Sequence, residues 1–166
     1  GSIELYRWYH FAGVLDRTTG RMEVYLDGQL VNIAYTSVPN TDTVSHTSPL
    51  LFGRTLEDSD YYSPFVGQLD EVRLWNRARQ QDDIVRDMTR TLPAETPGLV
   101  GYWRMNELAG FWVHDSSSYN NDGFLQGTVG RWTAPIHVGV TDSKPDRVWI
   151  SAASGEPGEF VWLDGN

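Results

Sequence analysis

The chain of 166 residues contains no cysteine. That excludes disulfide staples, thiol catalysis and cysteine-ligated zinc together, while leaving the compartment open. No apolar run approaches the roughly 20 residues that a membrane-spanning helix needs, so no membrane insertion is expected. No secretory leader is recognisable, and the opening Gly1-Ser2 reads as a cloning scar. Positive charge is scarce: 13 basic side chains against 22 acidic ones give a formal net charge of −9. Such a surface repels a phosphate backbone, so no nucleic-acid partner is expected, and an anionic membrane surface is disfavoured alike. Glycine-rich nucleotide-binding motifs and solenoid-type repeats are also missing.

What is present is strand-like. Apolar residues make up 40% of the chain and aromatics 13%, enough for a folded core. Residues 3–15 (IELYRWYHFAGVL) are rich in aromatic and branched side chains, and 21–26 (RMEVYL) alternate between two faces. Asp27-Gly28 favours a tight hairpin turn, with QLVNIAY returning. After a polar loop at 36–49 come the short strand LLFG (50–53), an acidic aromatic loop at 54–64, and FVGQLDEVRLWNR. Residues 80–92 carry Ile84, Val85, Met88 and Leu92 at helical spacing, with Asp82 and Asp83 in the first turn, where the helix dipole favours anions. Pro93 ends this helix. GLVGYWRM at 98–105 is a further strand, followed by the polar loop HDSSSYNNDG (114–123) and three short strand candidates beyond Gly130. Many short strands, frequent turns and one short helix predict an all-β chain, an antiparallel β-sandwich.

RWYHFAGVLDRTTGRMEVYLDGQLV resembles the segment of laminin-G-like and pentraxin-like domains in which an aromatic–His pair opens a strand and YLDG closes the next. LLFGR, then FVGQLDEVRLWNRA with DDI, then GLVGYWRMNE, are similar to the stretches that follow it in order. The resemblance implies a concanavalin A-like jelly roll spanning residues 3–130. It also implies several strands ahead of the aromatic–His segment, and this sequence starts almost at that segment. Residues 131–166 then read as an appended β arm that completes the sandwich or begins another module. Open sheet edges are expected to recruit strands from a neighbouring domain or a second copy of the chain.

Several residues qualify for chemistry. Asp70 and Glu71 stand side by side, but strand alternation sends adjacent side chains to opposite faces, so they cannot converge on one glycosidic bond. The apolar set changes side along this strand, which predicts a bulge near Asp70 and a structural role for one carboxylate. Glu57, Asp58 and Asp60 place three carboxylates on a loop able to wrap a calcium ion. The resemblance to pentraxin-like domains also implies calcium ligands at about that place. Tyr61 and Tyr62 sit beside them, with faces suited to stacking on a sugar. Asp115 and Asp122 offer a second calcium pair in the HDSSSYNNDG loop, although Asx turn chemistry explains most of that loop. Trp112 lies in a looser segment and is expected to be exposed and ligand-binding. His10, His46, His114 and His137 lack metal-type spacing.

These readings favour a non-catalytic recognition module of an extracellular or cell-surface protein, binding carbohydrate or a protein partner through its loops with calcium as the expected ion. Two alternatives remain open at this level. One is a structural domain acting by strand exchange; the other is an accessory domain of a polysaccharide-degrading enzyme.

Overall fold

The computed structural model describes residues 3–5, 7–37, 49–53, 65, 67–107, 109–125, 130–132, 147–150 and 161–163. Its strands pair antiparallel, and among the described residues there is one short helix. The all-β architecture expected from the strand pattern is what the structure shows. The chain folds into two compact units, one of residues 1–45 with 75–92 and one of 46–74 with 93–166.

The first unit is a three-stranded sheet and the helix. Strands β1 (Phe11–Asp16), β2 (Arg21–Leu26) and β3 (Gln29–Tyr35) lie in sequence order. The β2–β3 turn follows from Asp27-Gly28: both residues have positive φ, 49° and 76°, as a two-residue hairpin of the right twist requires. Asp27 is further tied by accepting from the His10 amide at 2.9 Å and from Arg7 at 3.2 Å. Alternation along β1 and β2 turns Val14 and Tyr25 to one side, where Ile84 of helix α1 (Gln81–Asp87) completes a buried cluster flanked by Ala12 and Ala78. A seven-residue helix is marginal alone. Burying Ile84, worth about 1.5–3 kcal/mol, therefore stabilises it substantially.

Further ties hold α1 in place. Gln81 donates to the Gly28 carbonyl at 2.9 Å, and Gly28 itself packs against Val85 and Met88. Arg79 is buried, stacked 3.7 Å over the Trp75 ring and paired with Asp87. The helix is shorter than the 80–92 expected from periodicity. Gln80 provides no side-chain cap, and Met88 and Thr89 form a turn. Strand β3 is an edge of this sheet, bulged opposite Val24 and Tyr25, and every one of its residues is exposed.

The second unit contains the remaining pairings. Strands β4 (Leu50–Phe52), β8 (Trp112–Val113), β9 (Gly123–Leu125) and β12 (Val161–Leu163) form a four-stranded sheet in the order β4-β12-β9-β8. Strands β5 (Gly67–Leu69), β10 (Gly130–Trp132) and β11 (Arg147–Ile150) form a second, and β6 (Val72–Trp75), whose last residue is counted in the first unit, pairs with β7 (Leu99–Trp103). Trp103, Met105, Val113 and Leu125 make the buried core, with Phe52, Leu69 and Val72 packed against it. Phe52 meets the Trp103 ring edge-on at 5.5 Å. Side chains from all three sheets thus share one hydrophobic cluster.

FVGQLDEVRLWNR, read as one strand, is two. Glu71 adopts a left-handed conformation (φ 55°), which separates β5 from β6 where the bulge is expected. Of the later strand candidates, DRVWISAA and EFVWLDG contain β11 and β12, while APIHVGVT lies outside the described residues.

Candidate functional site

The loop between β8 and β9 is organised by Asp115. This residue is buried, 6% exposed, and its carboxylate accepts four hydrogen bonds. Oδ1 takes the Tyr102 amide at 2.7 Å and the Ser117 amide at 2.8 Å; Oδ2 takes the Ser117 hydroxyl at 2.8 Å and the Asn121 amide at 2.9 Å. Asp122 reinforces the loop by accepting the Asp115 amide at 2.8 Å. Asn120 adopts the left-handed conformation (φ 54°) that Asx residues tolerate. Asn121 docks the loop on β7, accepting from Trp103 Nε1 at 2.8 Å and donating to Val100 at 3.2 Å. The turn chemistry legible in HDSSSYNNDG is what builds this loop.

That arrangement bears on calcium. A carboxylate has about four lone-pair sites, and those of Asp115 are taken by loop donors. One oxygen of Asp122 holds the Asp115 amide and the other lies 3.1 Å from His114 Nδ1. Asp115 thus has no lone pair left for a cation, whereas Asp122, 39% exposed, keeps acceptor capacity toward solvent. Among the described residues no group of three His, Asp or Glu side chains converges for a metal. Glu57, Asp58, Asp60, Tyr61 and Tyr62 lie outside the described residues.

The anchored loop presents a defined outer face. Antiparallel register sets Trp112 opposite Phe124 and Val113 opposite Gly123. Val113 and Leu125 point into the core, at 0% and 3% exposure, so strand alternation turns Trp112 and His114 outward, and Phe124 with Asp122 across from them. Trp112 is 55% exposed, as its sequence context predicts, and meets the Phe124 ring edge-on at 5.4 Å. Phe111, also exposed, stacks on Phe124 at 5.8 Å and 30°. Its carbonyl accepts the Leu125 amide at 2.7 Å, and Gly110 before it has φ 87°. Beside this aromatic group stand His114 and Asp122, with Glu107 accepting the His114 amide at 2.7 Å.

Three aromatic rings next to a polar pair on one solvent-facing patch combine stacking surface with hydrogen-bonding groups. Phe111, Phe124 and His114 are not among the residues anticipated from sequence. The signal was the period of two in Trp112-Val113-His114-Asp115, hidden by the brevity of β8.

The acid pair that draws attention in the sequence does something else. Glu71 accepts from Arg73 at 3.0 Å, approaches Arg104 at 3.6 Å and receives the Tyr102 hydroxyl. Arg73 also lies 4.8 Å over the Tyr102 ring. Burial raises the Tyr102 phenol above its ordinary range, and the Glu71 carboxylate adds to this while Arg73 opposes it. The group is an internal knot joining β7 to the β5–β6 break.

The family model described as the concanavalin A-like lectin/glucanases superfamily matches residues 1–85. A crystal structure of a "putative carbohydrate binding protein" from Bacteroides ovatus is similar over 70% of this chain, with 25% identity and a TM-score of 0.54. The chain spans 34% of that protein's length. No curated protein matches the chain significantly.

Proposed function

The chain belongs to the concanavalin A-like lectin/glucanases superfamily, and from that premise we propose that it is a non-catalytic carbohydrate-binding module. The observation that carries the proposal is the outer face of β8 and β9, where Phe111, Trp112 and Phe124 adjoin His114 and Asp122. Aromatic rings take the C–H face of a sugar while the polar pair meets its hydroxyls. The family match ends at residue 85, so this face is argued from its own geometry. The carbohydrate-binding description of the Bacteroides ovatus protein supports the same reading.

Affinity electrophoresis against a panel of soluble polysaccharides tests it. Wild type is retarded by at least one glycan, and Trp112→Ala loses that retention by about tenfold while keeping its circular dichroism, since an exposed ring contributes little to the core. Retention unchanged by W112A removes the face from consideration.

Glycan recognition of this kind suits a protein outside the cell or on its surface, and cell fractionation tests that location. Calcium belongs to the proposal only through the acidic loop with Glu57, Asp58 and Asp60. Binding to the folded state alone must raise the melting midpoint, so an identical midpoint in millimolar calcium and in chelator rejects it. A second reading, assembly by strand exchange with a neighbouring domain or a second copy, is favoured by the open, fully exposed β3 edge. A monomeric mass in solution at high concentration argues against exchange between copies.

A further inference from the structure

We infer that this face selects uncharged glycans and rejects uronate-bearing or sulfated ones. The inference rests on the carbohydrate-binding reading and adds the chemical class of its ligand.

Recognition of a carboxylate or sulfate ester in a sugar calls for Arg or Lys, whose charged donors match the anion. Phe111, Trp112, His114, Asp122 and Phe124 all fall within residues 105–125, a stretch that contains no Arg or Lys but holds Glu107 and Asp122. Several arginines in the described parts of the chain are engaged internally: Arg73 and Arg104 with Glu71, Arg79 and Arg86 with Asp87, Arg21 with Glu23. The single lysine of the chain, Lys144, lies outside the described residues.

On the face itself the carboxylate of Asp122 is 39% exposed, with His114 at 67% beside it. A carboxylate there accepts strong hydrogen bonds from neutral sugar hydroxyls and repels a second anion. The ring faces of Trp112 and Phe111, both more than half exposed, are indifferent to the ligand's charge. Discrimination therefore comes from the polar half of the patch. The net charge of −9 works in the same direction at longer range and slows the approach of polyanions.

The test compares the intact protein with soluble β-glucan, galactomannan and xylan on one side, and polygalacturonate and a sulfated galactan on the other. Retention is measured by affinity electrophoresis at low ionic strength, for wild type, Trp112→Ala and Asp122→Asn. The expected result is retention by at least one neutral polymer, lost about tenfold in W112A, with the acidic polymers held at least tenfold more weakly. Asp122→Asn preserves an oxygen for the Asp115 amide and narrows the gap between neutral and acidic polymers. Acidic polymers bound as tightly as neutral ones, with W112A abolishing both, overturns the charge selection and leaves the carbohydrate face standing. No retention by any polymer, or retention indifferent to W112A, overturns the face and this inference with it.

Discussion

Replacing Asp115 by alanine is the sharpest structural test, because one carboxylate serves four donors. Two of these, the Tyr102 and Ser117 amides, belong to buried residues and have no rotation by which to find water. Stranding a buried donor costs about 1–3 kcal/mol. The Ser117 hydroxyl can turn to another acceptor, and the Asn121 amide is half-buried, so each adds less. Against these losses stands the relief of no longer desolvating a charge, and the four bonds are not additive. The balance is a destabilisation of about 3 kcal/mol for D115A. Asp115→Asn keeps one carbonyl oxygen but turns an amide N–H toward Ser117 and Asn121, and costs roughly half as much. Urea unfolding gives the free energies provided the slope m is unchanged. Hydrogen exchange at the Tyr102 amide supplies a local readout, since its protection depends on Oδ1. A loss below about 0.5 kcal/mol for D115A, with that amide still protected, would refute the reasoning.

Other perturbations discriminate equally well. Glu71 combines a left-handed backbone with three partners; Glu71→Ala loses about 2–3 kcal/mol, and Glu71→Gly about 1 kcal/mol less because glycine tolerates φ 55°. Equal melting points for the two variants contradict this. At Gly28, with φ 76°, an added Cβ would stand 2.8 Å from Val85 Cγ2, so Gly28→Ala lowers stability by about 1–3 kcal/mol in thermal unfolding. Burial alone would raise the carboxyl of Asp87, but hydrogen bonds from Arg86 and Arg79 outweigh it and hold the group below its usual range. A carboxyl depressed in the folded state stabilises above its unfolded value near about 4, and that contribution disappears as pH falls through the folded value. Acid titration of stability should therefore steepen below about pH 4 in wild type and flatten in Asp87→Asn.

Element length decides how much of the fold shows in the sequence. Strand β2 and the Asp27-Gly28 turn are legible because six residues alternate and the turn chemistry is local, whereas β1 begins only at Phe11 within the 3–15 stretch and β3 is exposed throughout. Strand β8 is two residues long, too short for any periodic signal, and its partner β9 reads as the tail of a polar loop. The looseness of its surroundings nonetheless predicts that Trp112 is at the surface, where it is 55% exposed. Phe124 escaped notice because only cross-strand register brings it against Trp112. The sequence marks Asp115 as turn-forming, yet its fourfold role depends on β7 lying alongside.

Local chemistry by itself determined the hairpins, the cap-poor helix, the Asx-rich loop, the acidic surface and the superfamily resemblance. Each is encoded within a few residues of its own position or in ordered motifs along the chain. Only tertiary structure decided what the conspicuous acids do. Glu71 is folded into a knot with Arg73, Arg104 and Tyr102, and Asp115 into a staple under a loop, while the half-buried Phe124 becomes the partner of the exposed Trp112 ring. The physical reason is that a side chain's partners lie across strands that only long-range pairing brings together.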